Sequence, residues 1–125
     1  MAHNPESPAC HGINEVLSRI GDKWSMLIVA NLAVGSRRFS ELKRAIPTIS
    51  QRMLTLSLRG LERDGLVSRT VTPSIPPRVD YELTELGHSL QKPISGLANW
   101  ALENVAAIHG AQARFDAEHD KAQAA

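Results

Sequence analysis

The stretch ISQRMLTLSLRGLERDG, residues 49–65, carries the pattern of one amphipathic helix. Leu54, Leu58 and Leu61 fall at positions i, i+4 and i+7, so they form a single apolar stripe. The other side chains then face away from the stripe and stay in water. Several of them are residue types that bond to bases or phosphates: Ser50, Gln51, Arg52, Thr55 and Arg59.

Local signals mark both ends of this helix. Ser50 is a favoured N-cap residue, and Gly65 is the glycine that ends many helices. Ile49 before the cap and Leu54 at the fourth helical position are spaced for a hydrophobic staple, which fixes the entry angle of the chain. We therefore predict a helix over Ser50–Asp64.

A short helix precedes this one. Leu42 and Ile46 share the inner face of a helix predicted over Glu41–Ile46, with Ser40 as its cap. Residues 47–49 (Pro-Thr-Ile) predict a three-residue turn, because the residue before a proline is biased away from the helical region. Two helices joined by such a turn form a helix–turn–helix.

A β-hairpin follows. Residues 66–71 and 78–83 alternate apolar and polar side chains and are rich in β-branched types, which favours strands. The segment between them, residues 72–77, contains three prolines that stiffen the loop. A hairpin after a helix–turn–helix is the wing of a winged helix.

Two helices are predicted upstream of the helix–turn–helix. Residues 1–11 read as a flexible arm, and a short first helix covers Ile13–Ile20. Asp22 caps a second helix over Lys23–Ala33, which is apolar on most sides and is expected to be buried. Residues 37–39 form a connector or one small strand.

The last helical region begins after Thr84 and extends to about residue 116. Pro93 is expected to kink or split it, and residues 117–125 are expected to fray. The element order thus predicts one domain over residues 12–116. Its fold class is α+β, mostly α: a winged helix–turn–helix with a three-helix core and a β-hairpin wing.

Charge is concentrated in one segment. The chain has 125 residues and a net charge of +1. Residues 36–78 contain nine basic and three acidic residues, a formal charge of +6, and the remainder carries −5. A basic block between acidic ends is typical of a surface that binds a polyanion.

Several classes of function lack support in the sequence. The one cysteine, Cys10, excludes an internal disulfide and a multi-thiolate zinc site. The five histidines show no metal-ligand spacing, and no apolar run is long enough for a membrane span. There is no phosphate loop, nucleotide fingerprint or nucleophile–base motif. We therefore expect no enzyme activity, no metal and no cofactor.

These features predict double-stranded DNA as the partner. The helix at Ser50–Asp64 would enter the major groove, with Arg52 on a guanine edge and Gln51 on an adenine. Further basic residues would contact phosphates: Arg37, Arg38, Lys43, Arg44, Arg69 and Arg78. The two in the hairpin, Arg69 and Arg78, could alternatively reach the minor groove. Contacts to about five phosphates would give a salt slope of about −4 to −5. The alternative is a winged-helix protein-interaction module.

Five ordered motifs also resemble a known family. They are GDKW (21–24), RFSEL (38–42), ISQRMLT (49–55), LRGLERDGLV (58–67) and PPRVDYELTELG (76–87). Together they cover most of residues 10–100 and resemble the HxlR family of winged-helix transcription regulators, which is related to the MarR type.

Residues 1–10 contain no apolar signal-peptide core, so a cytoplasmic, nucleoid-associated protein is the expectation. The resemblance implies a regulator, more often a repressor, that binds a pseudo-palindromic operator as a homodimer. It implies dimerisation through the N- and C-terminal helices. The residues that would form this interface are Ile13, Val16, Leu17, Leu97, Trp100 and Val105.

The resemblance also gives Cys10 a possible role. Members of this family commonly carry an N-terminal cysteine that in several cases senses oxidants or electrophiles such as quinones. A thiolate is favoured beside a helix N-terminus, and Cys10 lies just before the first predicted helix. Two alternatives stay open: Cys10 is an inert buried residue, or the effector is a small-molecule inducer near the dimer seam.

Overall fold

A computed structural model describes residues 8–124. It contains six helices and three strands within that range. In chain order they are α1 (Pro8–Gly21), α2 (Lys23–Leu32), β1 (Arg37–Arg38), α3 (Phe39–Ala45), α4 (Gln51–Arg63), β2 (Val67–Thr72), β3 (Arg78–Leu83), α5 (Glu85–His88) and α6 (Gln91–Ala124). This order confirms the predicted winged helix–turn–helix.

The chain divides into two units, Met1–Gln91 and Lys92–Ala125. The first contains α1 to α5 and the sheet, and the second is the remainder of α6. The single domain predicted over residues 12–116 therefore extends across both units.

The three strands form one antiparallel sheet in the order β1-β3-β2. The central strand β3 pairs with both neighbours, so that Tyr81 lies opposite Arg37 on β1 and opposite Arg69 on β2. The Thr72–Arg78 pair closes the hairpin, and residues 73–77 form its tip. The predicted connector at Arg37–Arg38 is thus a short strand that joins the wing to the helical core.

An aliphatic core fills the first unit. Leu42 of α3 and Leu54 of α4 are completely inaccessible to solvent. The other buried apolar side chains of α2, α4, the sheet and the turn between α3 and α4 are Ile28, Val29, Leu32, Ile46, Ile49, Leu58, Leu61, Val67 and Leu83. The leucine stripe predicted for residues 54–61 is confirmed as the part of this core that holds α4.

The predicted signals at both ends of α4 are confirmed. Ser50 Oγ accepts a hydrogen bond from the Met53 N–H at 3.0 Å. At the other end Gly65 has a φ of +77°, and the Leu66 N–H donates to the Leu61 carbonyl at 3.0 Å. This is the Schellman arrangement, in which a residue with positive φ closes the helix.

The start of α1 differs from the prediction. Helix α1 begins at Pro8, so residues 8–11, which were predicted as part of the arm, are helical. Proline is favoured at the first helical position because its ring fixes φ and its missing N–H is not needed there. Residues 1–7 of the predicted arm lie outside the described residues.

Two details of α2 and α3 also differ. Leu27 of α2 is 39% exposed, although that helix was predicted to be buried, because its buried side chains lie on one side. Helix α3 begins at Phe39 instead of Glu41. The Glu41 side chain accepts a hydrogen bond from the Arg38 N–H at 2.9 Å, which moves the cap from Ser40 to Arg38.

The C-terminal helical region is split, as predicted, but the break lies before Pro93 and not at it. Helix α5 ends at His88, and α6 begins at Gln91 with Pro93 in its first turn. A proline fits there because the first N–H groups of a helix have no partner within it. Helix α6 then continues to Ala124, past residue 116, because its last turns are rich in strong helix formers such as alanine.

Thr84 connects the sheet to α5. Its Oγ1 donates to the Gly65 carbonyl at 2.6 Å and accepts from the Gly87 N–H at 3.1 Å. A Cβ at Gly87 would collide with the Leu66 carbonyl oxygen, so only glycine fits there.

We expect Thr84→Val to lower the free energy of unfolding by about 1 kcal/mol, because it keeps the shape of the side chain but removes a helix cap. Urea unfolding followed by circular dichroism measures this. Thr70→Val, at an exposed position on β2, is the matched control and should leave stability unchanged. Equal stability of Thr84→Val and the native protein would contradict the assigned cap.

Candidate nucleic-acid interface

The turn between α3 and α4 is held by buried side chains. Ile46 ends α3 in a non-helical conformation, with its N–H bonded to the Leu42 carbonyl at 3.0 Å. The Ile49 N–H then donates to the Ile46 carbonyl at 3.1 Å, and both isoleucines are buried. This rigid turn sets the position of the N-terminus of α4 relative to α3.

The outer face of α4 carries the predicted base-reading residues. Ser50, Gln51, Arg52 and Arg59 are exposed, and Thr55 is half-buried. The Thr55 hydroxyl donates to the Gln51 carbonyl at 2.9 Å, so a contact from Thr55 to DNA would use its methyl group or the oxygen as acceptor. Gln51 and Arg52 lie in the first turn, where the helix dipole favours negative charge.

A shallow depression connects the two helices of the motif. Its volume is about 560 Å³ and its walls come from α3 and from the start of α4. The lining residues are Phe39, Ser40, Lys43, Arg44 and Gln51. Two predicted phosphate-binding cations therefore lie beside the predicted base-reading amide.

A second cleft, of about 280 Å³, lies between α4 and the wing. Arg59 of α4 and Arg69 of β2 both line it. Tyr81 of β3, which lies opposite Arg69, lines it as well. Glu62, Thr55 and Leu58 complete its walls. The fold thus brings one cation of the helix and one of the hairpin to the same cleft.

Two of the predicted DNA-binding arginines are engaged within the protein. The Arg37 Nε donates to the Asn31 carbonyl at 3.4 Å, and the Arg78 Nε lies 3.0 Å from Asp80 Oδ2 in an ion pair. At the wing tip the fully exposed side chain is Ile75, which has no charge.

One ion pair ties α1 to the C-terminal end of α4. The Arg19 guanidinium binds the carboxylate of Asp64, and it passes over Gly60. A side chain at position 60 would displace the end of this flexible arginine. The pair is about one-third exposed, so its contribution to stability is small.

Comparison with known proteins identifies the family. The model of the HxlR-like helix-turn-helix family matches residues 19–109. The chain belongs to the HxlR family. Its members are transcriptional regulators with a helix–turn–helix DNA-binding fold, a non-enzymatic class.

Relatives and solved structures agree with this assignment. The HTH-type transcriptional regulator YtcD of Bacillus subtilis is 42% identical over 98 residues, which is 78% of each chain. The redox regulator HypR in its reduced form is 38% identical, with a TM-score of 0.74 over 79% of this chain and 98% of that one. The reduced form of YodB from B. subtilis is also 38% identical, with a TM-score of 0.66 over 76% and 90% of the two chains.

In this HxlR-family chain the structure brings together most of the predicted DNA-binding residues. Those on α3, α4 and in the cleft beside the wing are Lys43, Arg44, Ser50, Gln51, Arg52, Thr55, Arg59 and Arg69. Arg38 is exposed at the start of α3. Arg37 and Arg78 are held by Asn31 and Asp80, respectively, as described above. Their contacts with DNA stay predictions.

Two residues near this surface, Tyr81 and Leu56, were not predicted from the sequence. Tyr81 lies in the cleft because the β2–β3 register places it opposite Arg69. Leu56 of α4 is 50% exposed, and the same periodicity that identified the buried stripe places it on the outer face.

The residues predicted for dimerisation are exposed in the single chain. Ile13, Val16 and Leu17 are exposed on α1, and Leu97, Trp100 and Val105 are exposed on α6. Cys10 lies within the first turn of α1 rather than before it, and it is buried, with 9% of its surface exposed.

Within the described part of the chain, no group of three or more His, Cys, Asp or Glu side chains is placed to hold a metal ion. None of its helices has both the length and the apolar character that crossing a bilayer requires.

Proposed function

We propose that this HxlR-family regulator is a repressor that binds a pseudo-palindromic operator as a homodimer in the cytoplasm. The observation that carries the proposal is the outer face of α4, where Gln51, Arg52 and Arg59 are exposed while the leucine stripe is buried. Two copies of this helix would enter successive major grooves about one helical turn apart.

The surrounding charge supports DNA as the ligand. Several exposed arginines lie on or next to the helix–turn–helix or beside the wing, among them Arg38, Arg44, Arg52, Arg59 and Arg69. Lys43 is half-buried in the α3–α4 depression. Cations that flank a helix N-terminus fix the register of a protein on the phosphate backbone. Such a surface favours DNA over the protein-interaction module.

Exposed apolar side chains support the homodimer. Val16 and Leu17 on α1 and Trp100 and Leu102 on α6 are each more than half exposed. Large apolar side chains on two helices are unusual on a monomer surface and mark sites of association. We propose that each helix covers this surface against a second copy of the chain.

Selection of bound duplexes from a random DNA pool tests the proposal. We expect an enriched site with two-fold symmetry, a protein mass of two chains, and a salt slope of about −4 or steeper. Lys43→Ala should weaken binding to all sequences by a similar factor, because a phosphate contact carries no base information. Failure to enrich any duplex, or binding by single chains to asymmetric sites, would contradict the proposal.

We also propose that Cys10 makes operator binding sensitive to oxidants. Two observations support this: its place in the first turn of α1, a predicted dimerisation helix, and the similarity of the chain to redox regulator HypR. In a homodimer two Cys10 thiols would each lose one proton and one electron to the oxidant and form an intersubunit disulfide. The bond would alter the spacing of the two α4 helices.

Diamide treatment tests this role. We expect diamide to lower operator affinity of the native protein at least about tenfold and dithiothreitol to restore it, because a changed half-site spacing prevents simultaneous docking. The Cys10→Ala protein contains no thiol, so diamide should not change its affinity for the operator. Equal loss of binding in both proteins would remove Cys10 from the mechanism.

A small-molecule inducer is a second candidate effector, favoured by one cavity. An apolar cavity of about 330 Å³ lies between α1, α5 and the end of α4, and Asp64 and Leu66 contribute to its wall. This volume is within the range of ligand sites. A ligand there would act on the C-terminal end of α4 through the Arg19–Asp64 pair, and it would do so equally in Cys10→Ala.

A further inference from the structure

Leu56 is an apolar side chain on the polar side of α4. It lies four residues after Arg52 and three before Arg59, so all three share one face of the helix. Half of its surface is exposed, whereas Leu54 and Leu58, two residues away on either side, are buried. The position of Leu56 is therefore explained neither by the core nor by the turn.

The surroundings of Leu56 favour a nucleic-acid contact over an apolar partner. Guanidinium groups lie one turn away on each side, at Arg52 and Arg59, and both are exposed. An apolar docking face would have to desolvate these charges. In a major groove the same arginines meet base edges or phosphates, and an apolar side chain between them meets the one apolar group in that groove, the thymine 5-methyl.

We infer that Leu56 reads a thymine by contact with its 5-methyl group, in each half-site of the operator. The helix rises 1.5 Å per residue, so Leu56 lies about 6 Å along the helix axis from Arg52. We therefore expect the thymine to lie in the same half-site as the guanine bound by Arg52. The inference rests on the proposed function and adds a base preference to it.

Replacement of each thymine of the selected duplex by deoxyuridine tests the inference. Deoxyuridine removes the methyl group and keeps the base pair. For the native protein we expect one position per half-site at which the replacement lowers affinity about fourfold, the effect of losing one buried methyl group. Leu56→Ala should bind the unmodified duplex more weakly by a similar factor and should not respond to deoxyuridine at that position. Leu56→Met, which stays apolar, should keep the response.

Three outcomes separate this inference from the proposed function. If no duplex is selected, the proposed function itself fails. If duplexes are selected and Arg52→Ala weakens binding, but deoxyuridine is tolerated everywhere, the inference about Leu56 fails alone. If the deoxyuridine penalty persists in Leu56→Ala, another side chain, such as Thr55 through its methyl, reads the thymine and the assignment to Leu56 is wrong. Circular dichroism melting establishes that Leu56→Ala is folded.

Discussion

Leu54→Ala is expected to lower the free energy of unfolding by about 2–5 kcal/mol, because it leaves a cavity in the core. Leu54 is completely inaccessible to solvent and lies where α4 packs on the core. A loss of this size is a large fraction of the total stability of a small domain, which is about 5–15 kcal/mol. Urea or thermal unfolding followed by circular dichroism measures it.

Leu56→Ala is the matched control for that substitution. It makes the same chemical change on the same helix, at a position that is 50% exposed, and leucine and alanine are both strong helix formers. We expect the free energy of unfolding to change by less than about 0.5 kcal/mol. Similar losses from both substitutions would mean that α4 is rotated from its assigned orientation.

Arg52→Ala is expected to weaken binding to the selected operator by about 1–3 kcal/mol per half-site and to relax the preference for guanine at one position. The physical reason is the loss of a bidentate pair of hydrogen bonds from an exposed guanidinium to the O6 and N7 atoms of guanine. Titration of the operator, and of variants with each base at that position, measures both effects.

Arg52→Lys and Lys43→Ala are the controls. Lysine keeps the charge of Arg52 but lacks the planar fork, so Arg52→Lys should keep the salt slope while losing part of the preference for guanine. Lys43→Ala should weaken binding to all DNA sequences by a similar factor and make the salt slope shallower by about one unit. An Arg52→Ala protein with unchanged base preference would contradict the assigned role.

Helix α4 was predictable from the sequence because its determinants are local. The spacing of Leu54, Leu58 and Leu61 fixes the buried face, and Ser50 and Gly65 fix the ends without help from distant residues. The hairpin was predictable for the same reason, since alternating side chains and a proline-rich loop act over a few residues.

The start of α1 and the cap of α3 were predicted less well. Pro8 stands ahead of the apolar periodicity of α1, so periodicity alone placed the start of the helix at Ile13. In α3, Ser40 is a better cap residue than Arg38, but the Glu41 side chain bonds the Arg38 N–H and shifts the helix start. In α3, therefore, a hydrogen bond between a side chain and the backbone outweighed the residue preference for the cap.

The sequence predicted which residue types form the candidate site, but it predicted the contacts between them less well. Nothing in the sequence around Arg37 indicates that its guanidinium bonds to the Asn31 carbonyl. The ion pair between Arg78 and Asp80 was a local possibility on one strand face, since the two residues are separated by one position. The pairing of β2 with β3 places Tyr81 in the cleft. The register of two strands depends on residues from both of them, so neither segment alone predicts it.

Methylation interference at guanine N7, on the selected duplex, tests most directly whether α4 reads the major groove. We expect interfering guanines in two clusters about 10 base pairs apart, with one guanine per cluster that no longer interferes when the protein is Arg52→Ala. Undiminished interference at every guanine with Arg52→Ala, or interference only from minor-groove methylation of adenine N3, would contradict it.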